Sequence, residues 1–330
     1  MKVLHIGKEG MMEKFSSPDS LLYESETADL PMGLAAEEYI RAAGDAEHLI
    51  ADAIAPVTAE LIEGLPLLKS IHSEGVAFNR IDTEAASARG VSVCHSAGMN
   101  AGAVAEQAVL LMSGMLRNVI NNDRAVREGR QLPVKEGYMK RGDLRELADC
   151  TVGLVGFGGS GKAVARLLQA YGVKKILVTR RSSLPEEEAR AYGVTQGSLD
   201  ELLSEADIVS LHLPASPDTA RMANKDFFGK MKQGSYFVNT ARGELVDNEA
   251  LVEALRSGKL AMAGLDTLDH EPVGRNHYLL QQTDIAERLI LSPHIAGITA
   301  ASFRRSYAMI WEDVAAVRAG KIPARCVNLK

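Results

Sequence analysis

The chain has 330 residues, more than a single hydrophobic core usually serves, so two domains are expected. Hydrophobic residues make up 46% and charged residues 24%, ordinary for a soluble globular protein. The net charge of −6, with no long basic block, argues against nucleic acid as a partner.

The opening "MKVLHIGKEGMMEK" has too short an apolar run for a signal peptide and reads as a first strand. Up to residue 96, "KVLHI", "EHLIADAI", "LLKSIHS" and "VSVCHS" read as strands. "AAEEYIRAAG", "TAELIEGL" and "DTEAASARG" read as helices, two of them closed by glycine. Strands separated by helices imply parallel pairing in an α/β layer structure. One long helix is expected from about Ala101 to Glu128, which contains no proline. A second α/β series has the strands "TVGLVG", "KKILVT", "ADIVSLHLP", "SYFVNTA", "LAMAGLD" and "RLILSPHI", and a last helix "AASFRRSYAMIWEDVAAVRAG". Cys94, Cys150 and Cys326 lie far apart without CxxC spacing, which argues against a disulfide framework or zinc site and for a reducing, cytoplasmic compartment. No metal is expected. No stretch of about 18 apolar residues occurs, so no membrane partner is expected either.

"TVGLVGFGGSGKAVARLL" fits two phosphate-binding loops from the same glycine. Read as G-x-x-x-x-G-K it resembles a triphosphate loop, which needs Ser or Thr after the lysine to hold magnesium; here Ala163 has no oxygen to offer. Asp266 would pass for a second magnesium carboxylate, so that test does not decide. Read as G-x-G-x-x-G, every residue has a job. Gly156 makes the turn, Gly158 admits a pyrophosphate, and Gly161 lets helix and strand pack, with Gly159 and Ser160 beside them at the helix start. The dinucleotide reading is therefore preferred. About 20 residues further on, such loops carry a carboxylate for the ribose 2′-hydroxyl. This chain has Arg180 and Arg181 there, which predicts NADP(H) in preference to NAD(H), because guanidinium pairs with a 2′-phosphate.

Arg242 in "YFVNTARGELV", Asp266 and Glu271 in "AGLDTLDHEPV", and His294 in "LILSPHIAGIT" follow in order. Singly, each would be an ordinary surface or core residue. Together with "GFGGSG", "SEGVAFNRID" at 73–82, "GMNAGAVAEQ" at 98–107 and "GKIPARCVN" at 320–328, they closely resemble the D-isomer-specific 2-hydroxyacid dehydrogenase family, glyoxylate/hydroxypyruvate reductases most nearly. The resemblance runs from residue 73 to the end and weakens before residue 70.

The resemblance implies two Rossmann-like or flavodoxin-like parallel-sheet domains. A cofactor domain (101–300) would be inserted into a substrate domain (1–100 and 301–330), with the active site in the cleft between them. Arg242 would anchor the substrate carboxylate and polarise the ketone, and His294 would donate the proton. Glu271 would orient the His294 ring and favour its imidazolium form. The backbone amides of Val76 and Ala77 would hold the substrate carboxylate, although many relatives have glycine where Ala77 stands. Asp266 would accept from the nicotinamide carboxamide, while His212, Pro214, Thr240, Ala241 and Gly297 would line the cofactor site. Ser160 departs from the branched apolar residue common at its position and offers a hydroxyl to a phosphate. A homodimer is implied through the helix beginning near "NAGAVAEQ".

Glu74 in the carboxylate loop is expected to repel a phosphate, which favours a small 2-keto acid with an uncharged tail over phosphoglycerate. Two alternatives stay open: a dehydrogenase for a bulkier aliphatic 2-keto acid, and a dinucleotide-sensing scaffold of corepressor type. A triphosphatase is a distant third.

Overall fold

A computed structural model describes residues 1–329 and divides the chain into two compact units. One is Met1–Asn100 together with the segment from Ile298; the other, Ala101–Gly297, interrupts it in sequence.

The first unit alternates β1 (Lys2–Ile6), α1 (Met11–Phe15), β2 (Glu26–Leu30), α2 (Ala36–Ala43), β3 (His48–Ala51), α3 (Ala59–Glu63), β4 (Ser70–Ser73), α4 (Thr83–Ala88) and β5 (Ser92–His95). Its five strands pair in parallel in the order β2-β1-β3-β4-β5, with the order reversing between β1 and β3. Period-2 alternation divides the strand residues between two apolar layers. Leu4, Leu49, Ile71 and Val93 pack with α2, α3 and α4, while Val3 and Ile50 pack with α1 and the chain's last helix, Ala300–Arg318.

The second unit contains α5 (Ala101–Leu116), α6 (Val119–Arg127), α7 (Gln131–Arg141), β6 (Thr151–Val155), α8 (Gly159–Ala170), β7 (Lys175–Thr179), α9 (Glu186–Ala191) and β8 (Val194–Gln196). There follow α10 (Leu199–Glu205), β9 (Ile208–Leu211), α11 (Lys225–Lys230), β10 (Ser235–Asn239), α12 (Asn248–Arg256), β11 (Leu260–Leu265) and β12 (Leu289–Leu291); the chain then ends with α13 (Ala300–Arg318) in the first unit. The seven strands are parallel in the order β12-β11-β10-β9-β6-β7-β8, so the chain reverses direction between β6 and β9. Neighbouring residues again serve opposite faces. Val209 and Phe237 pack on α10, α11 and α12, and Ile208 and Val238 pack on α5 and α8.

Several expected elements differ in detail. The long helix is interrupted, because Asn118 adopts the left-handed conformation (φ 48°) and separates α5 from α6. The expected strands at 47–54 and 67–73 shorten to His48–Ala51 and Ser70–Ser73. Of the two helix-closing glycines, Gly90 has the expected left-handed φ of 69°, whereas Gly44 remains helical at −61°. Among the described residues, no helix is long and apolar enough to cross a membrane.

Candidate active site

In open parallel sheets, ligands collect beyond the carboxyl ends of strands, where the strand order reverses. In the second unit that point lies between β6 and β9. The turn after β6 carries Gly156 (φ 97°), where a side chain would run into the backbone of His212 at the end of β9. Gly161 has a similar reason: a Cβ there would come within 2.5 Å of the Gly156 carbonyl oxygen. Gly158 has nothing near the position a Cβ would take, and Gly159 has only Ala101 at 3.9 Å. These two line open space at the start of α8. Among the described residues no side chain caps that helix, so its first N–H groups are free to meet an anion beside Ser160.

Among the described residues, two polar atoms beyond the strand ends are buried without a hydrogen-bond partner: His212 Nδ1, beside this turn, and Thr240 Oγ1, after β10. His212 Nε2 lies 2.9 Å from Ser210 Oγ, and burial pushes the ring pKa down to about 4, so the imidazole stays neutral. Arg180 and Arg181 follow β7. Arg180 donates to Ser182 Oγ (2.8 Å) and lies 4.0 Å from Glu188 Oε2 on α9, a carboxylate that also pairs with Lys162. Arg181 and Pro214 are exposed. Open glycines, an uncapped helix start, unpartnered buried polar atoms and two arginines together fit a dinucleotide.

Arg242, Glu271 and His294 follow β10, β11 and β12, three adjacent strands, so all three project from one end of the sheet. Asn239, fully buried, ties the first turn by donating to the Arg242 carbonyl (2.8 Å) and accepting from the Ala241 amide (3.0 Å). The exposed Arg242 guanidinium donates to the Ala241 carbonyl (2.7 Å) and forms no ion pair among the described residues. Gly243 follows, and a Cβ there would overlap the backbone of Leu268 and Asp269. The arginine turn is thus seated directly on the turn that carries Glu271.

Glu271 Oε1 accepts from the Leu268 amide (2.9 Å), and Oε2 accepts from His294 Nδ1 (2.6 Å). This fixes the tautomer and leaves His294 Nε2 available. His294 is held at φ 55°, unusual for a residue with a side chain and typical of sites where geometry outranks local stability. Asp266 imposes that geometry. Its buried carboxylate accepts from Ser292 Oγ (2.5 Å), the Ile295 amide (3.1 Å) and the Ala296 amide (2.9 Å), and its carbonyl accepts from the His294 amide (2.8 Å). Gln107 on α5 steadies Ser292 by donating to its hydroxyl (3.0 Å). Sequence reasoning missed Asn239, Gly243, Gln107 and Ser292; the short N-T-A-R-G and S-P-H runs were the available signal. Gly297 closes this segment, half-buried.

In the first unit, residues 74–77 form a turn after β4. Every carbonyl in it is taken: Glu74 by Ser306 Oγ (2.5 Å), Gly75 by the Ser96 amide (2.9 Å), Val76 by His95 Nδ1 (2.7 Å) and Ala77 by Ser73 Oγ (2.6 Å). The Val76 and Ala77 amides, by contrast, donate to no acceptor among the described residues. Glu74 corrects an expectation. Its side chain is buried, 3.0 Å from His5 Nε2, and takes no part in the exposed face of the turn, so it gives no ground for excluding a phosphate.

A seven-stranded parallel sheet with a glycine turn at its reversal point, followed by an Arg, Glu–His set on adjacent strand ends, defines a nicotinamide-dinucleotide-dependent oxidoreductase. The family model "D-isomer specific 2-hydroxyacid dehydrogenase, NAD binding domain" matches residues 109–296, and the chain belongs to this family. It is 35% identical over 294 residues to a glyoxylate reductase of Thermofilum pendens, covering 88% of this chain and 84% of that one. A chloroplastic D-3-phosphoglycerate dehydrogenase of Arabidopsis thaliana is 32% identical over 310 residues, 94% of this chain but 48% of that longer one. Among solved structures, a D-isomer-specific 2-hydroxyacid dehydrogenase of Lactobacillus delbrueckii ssp. bulgaricus in NAD-complexed form superposes with a TM-score of 0.85 at 25% identity. That match covers 99% of this chain and all of the other. The protein is accordingly an oxidoreductase of the D-2-hydroxyacid dehydrogenase type.

Proposed function

We propose that the protein reduces a small 2-keto acid of the glyoxylate or hydroxypyruvate type to the D-2-hydroxy acid, with NADP(H) preferred to NAD(H). The observation that carries this is an exposed guanidinium without an ion pair among the described residues, Arg242, and the Glu271–His294 hydrogen bond at 2.6 Å, on neighbouring strand ends. The dinucleotide, when bound, supplies the hydride. Arg242 forks onto the substrate carboxylate and draws density from the ketone oxygen. His294 Nε2 delivers a proton to that oxygen as negative charge develops, while Glu271 holds Nδ1–H and keeps the ring oriented. The Val76 and Ala77 amides, which donate to no acceptor among the described residues, are assigned to substrate binding as well. Asp266, Thr240, Ala241, His212, Pro214 and Gly297 serve the cofactor side.

The cofactor preference is supported by two cations and a serine hydroxyl after β7, where a ribose-binding carboxylate would otherwise stand. The substrate class is supported by the likeness to a glyoxylate reductase. A homodimer is supported by exposed Leu110, Val126, Leu132 and Met139 on α5–α7 (55–74% exposed), and light scattering tests it. The functional test is oxidation of NADPH and NADH with glyoxylate, hydroxypyruvate, pyruvate, 2-ketoisocaproate and 3-phosphohydroxypyruvate. Rapid NADPH use with either of the first two supports the proposal. Use of NADH alone removes the arginine argument, fastest turnover of 2-ketoisocaproate or the phosphorylated acid replaces the substrate class, and no turnover points to a sensing scaffold.

A further inference from the structure

Glu74 stands two residues before a pair of amides suited to bind an anion, which is electrostatically the wrong place for a carboxylate. The fold does not expose it. Glu74 is buried, its Oε1 is 3.0 Å from His5 Nε2, and it accepts from the Tyr307 hydroxyl on α13. His5 on β1 is fully buried, and its Nδ1 donates to Asp29 Oδ1 on β2 (2.6 Å). Burial, the largest single influence on His5, opposes its charge, yet Glu74 and Asp29 together outweigh it and raise the ring's pKa. The backbone at Glu74 is pinned as well, since the Ser306 hydroxyl that donates to its carbonyl also lies 2.6 Å from Ser96 Oγ. Two separate segments, β1 and α13, thus converge on one residue of the turn, and Asp29 on β2 and Ser96 after β5 hold their side chains in turn. Simple packing would need only an apolar side chain there, and a buried charge survives only with such partners.

We propose that His5, Glu74 and Tyr307 are positioning residues for substrate binding: they fix the root of the turn so that the Val76 and Ala77 amides face an incoming carboxylate. The inference rests on the assignment of that turn to the substrate carboxylate. None of the three side chains touches substrate; each acts through the backbone of 74–77.

The test compares full-length wild type with Tyr307→Phe, Glu74→Ala and Glu74→Gln, by hydrogen exchange of residues 74–79 without ligands and by steady-state kinetics with glyoxylate. Loss of one buried hydrogen bond in Tyr307→Phe is expected to speed exchange in the turn and to raise KM about fivefold, with kcat within about twofold and dinucleotide Kd unchanged. Glu74→Ala should do more, and Glu74→Gln, which keeps an acceptor for Tyr307, should recover most of the loss. Unchanged exchange in the turn overturns the inference whatever the kinetics. Faster exchange with unchanged KM, in an enzyme that turns over, overturns the assignment of the turn to the carboxylate. Absence of wild-type turnover with every 2-keto acid overturns the functional proposal and the substrate role with it. Should Tyr307→Phe not fold, the Glu74→Ala and Glu74→Gln pair carries the same comparison.

Discussion

Gly243→Ala adds one methyl group, at the point where the arginine turn rests on the turn of Glu271. That methyl would overlap the carbonyl carbon and oxygen of Leu268 and the nitrogen of Asp269, all of them backbone atoms that no rotamer change can clear. Restoring ordinary contact requires roughly 1.5 Å of relative movement between the two turns. The Leu268 amide donates to Glu271 Oε1 at 2.9 Å, so displacing Leu268 displaces Glu271 and loosens its 2.6 Å contact with His294. Misplacement on that scale should lower kcat/KM about 100-fold. The overpacking itself should cost about 1–3 kcal/mol of folding stability. The Gly156–Gly161 turn belongs to β6 and α8 and stays in place, but Ala241 and Asp266 adjoin the displaced turns, so dinucleotide affinity should fall, though by less than kcat/KM. Steady-state kinetics, urea unfolding and cofactor fluorescence titration read the three quantities. A variant retaining kcat/KM within about threefold would refute the argument that these turns must be seated on one another for catalysis.

Other expectations follow from the same geometry. Glu271→Gln keeps a partner for His294 Nδ1 but removes its charge, and because the pair is partly exposed the loss in reductive kcat should be about tenfold; an unchanged rate would take Glu271 out of the proton path. Replacing Arg180 and Arg181 together with alanine should lower the NADPH-to-NADH ratio of kcat/KM about 100-fold, and an unaltered ratio would assign discrimination elsewhere. His48, buried with Nδ1 2.7 Å from Ser70 Oγ, has its pKa pushed down by burial from 6.5 to about 4. Its native form is therefore neutral: the associated stability is present above pH 6.5 and lost as pH falls toward 4, about 2 kcal/mol between pH 8 and pH 5. Urea midpoints for wild type and His48→Gln at those two pH values would show a shallower pH dependence in the variant, or else discount His48 as a source of acid sensitivity.

The parts of the fold legible in the sequence were those written as apolar runs. "TVGLV" and "KILVT" are buried in the sheet interior and need no context to read as strands. β2, "ETADL", was not legible: it is an edge strand carrying two acids, and only its pairing with β1 makes it one. β8 has three residues at the opposite edge of its own sheet. The helix break at Asn118 lacks both proline and glycine, the usual marks of a break, because asparagine tolerates the left-handed region. The glycine turn and the Arg, Glu and His motifs were visible because each is local. Glu74 was misjudged because its partners, His5 and Tyr307, lie 69 and 233 positions away, and no local pattern announces a burial arranged over such distances.

Asp266 carries a final consequence. An ionised carboxylate offers about four lone-pair positions, all of them acceptors. Ser292 and the amides of Ile295 and Ala296 already fill three. The one position left over would accept a hydrogen and repel an oxygen. A primary amide presented to it is therefore sorted end for end, NH2 inward and carbonyl outward. On the proposed assignment of Asp266 to the cofactor, the residue that stiffens the histidine segment would thus also act as a one-place polarity filter, and a substitution relieving either duty would disturb the other.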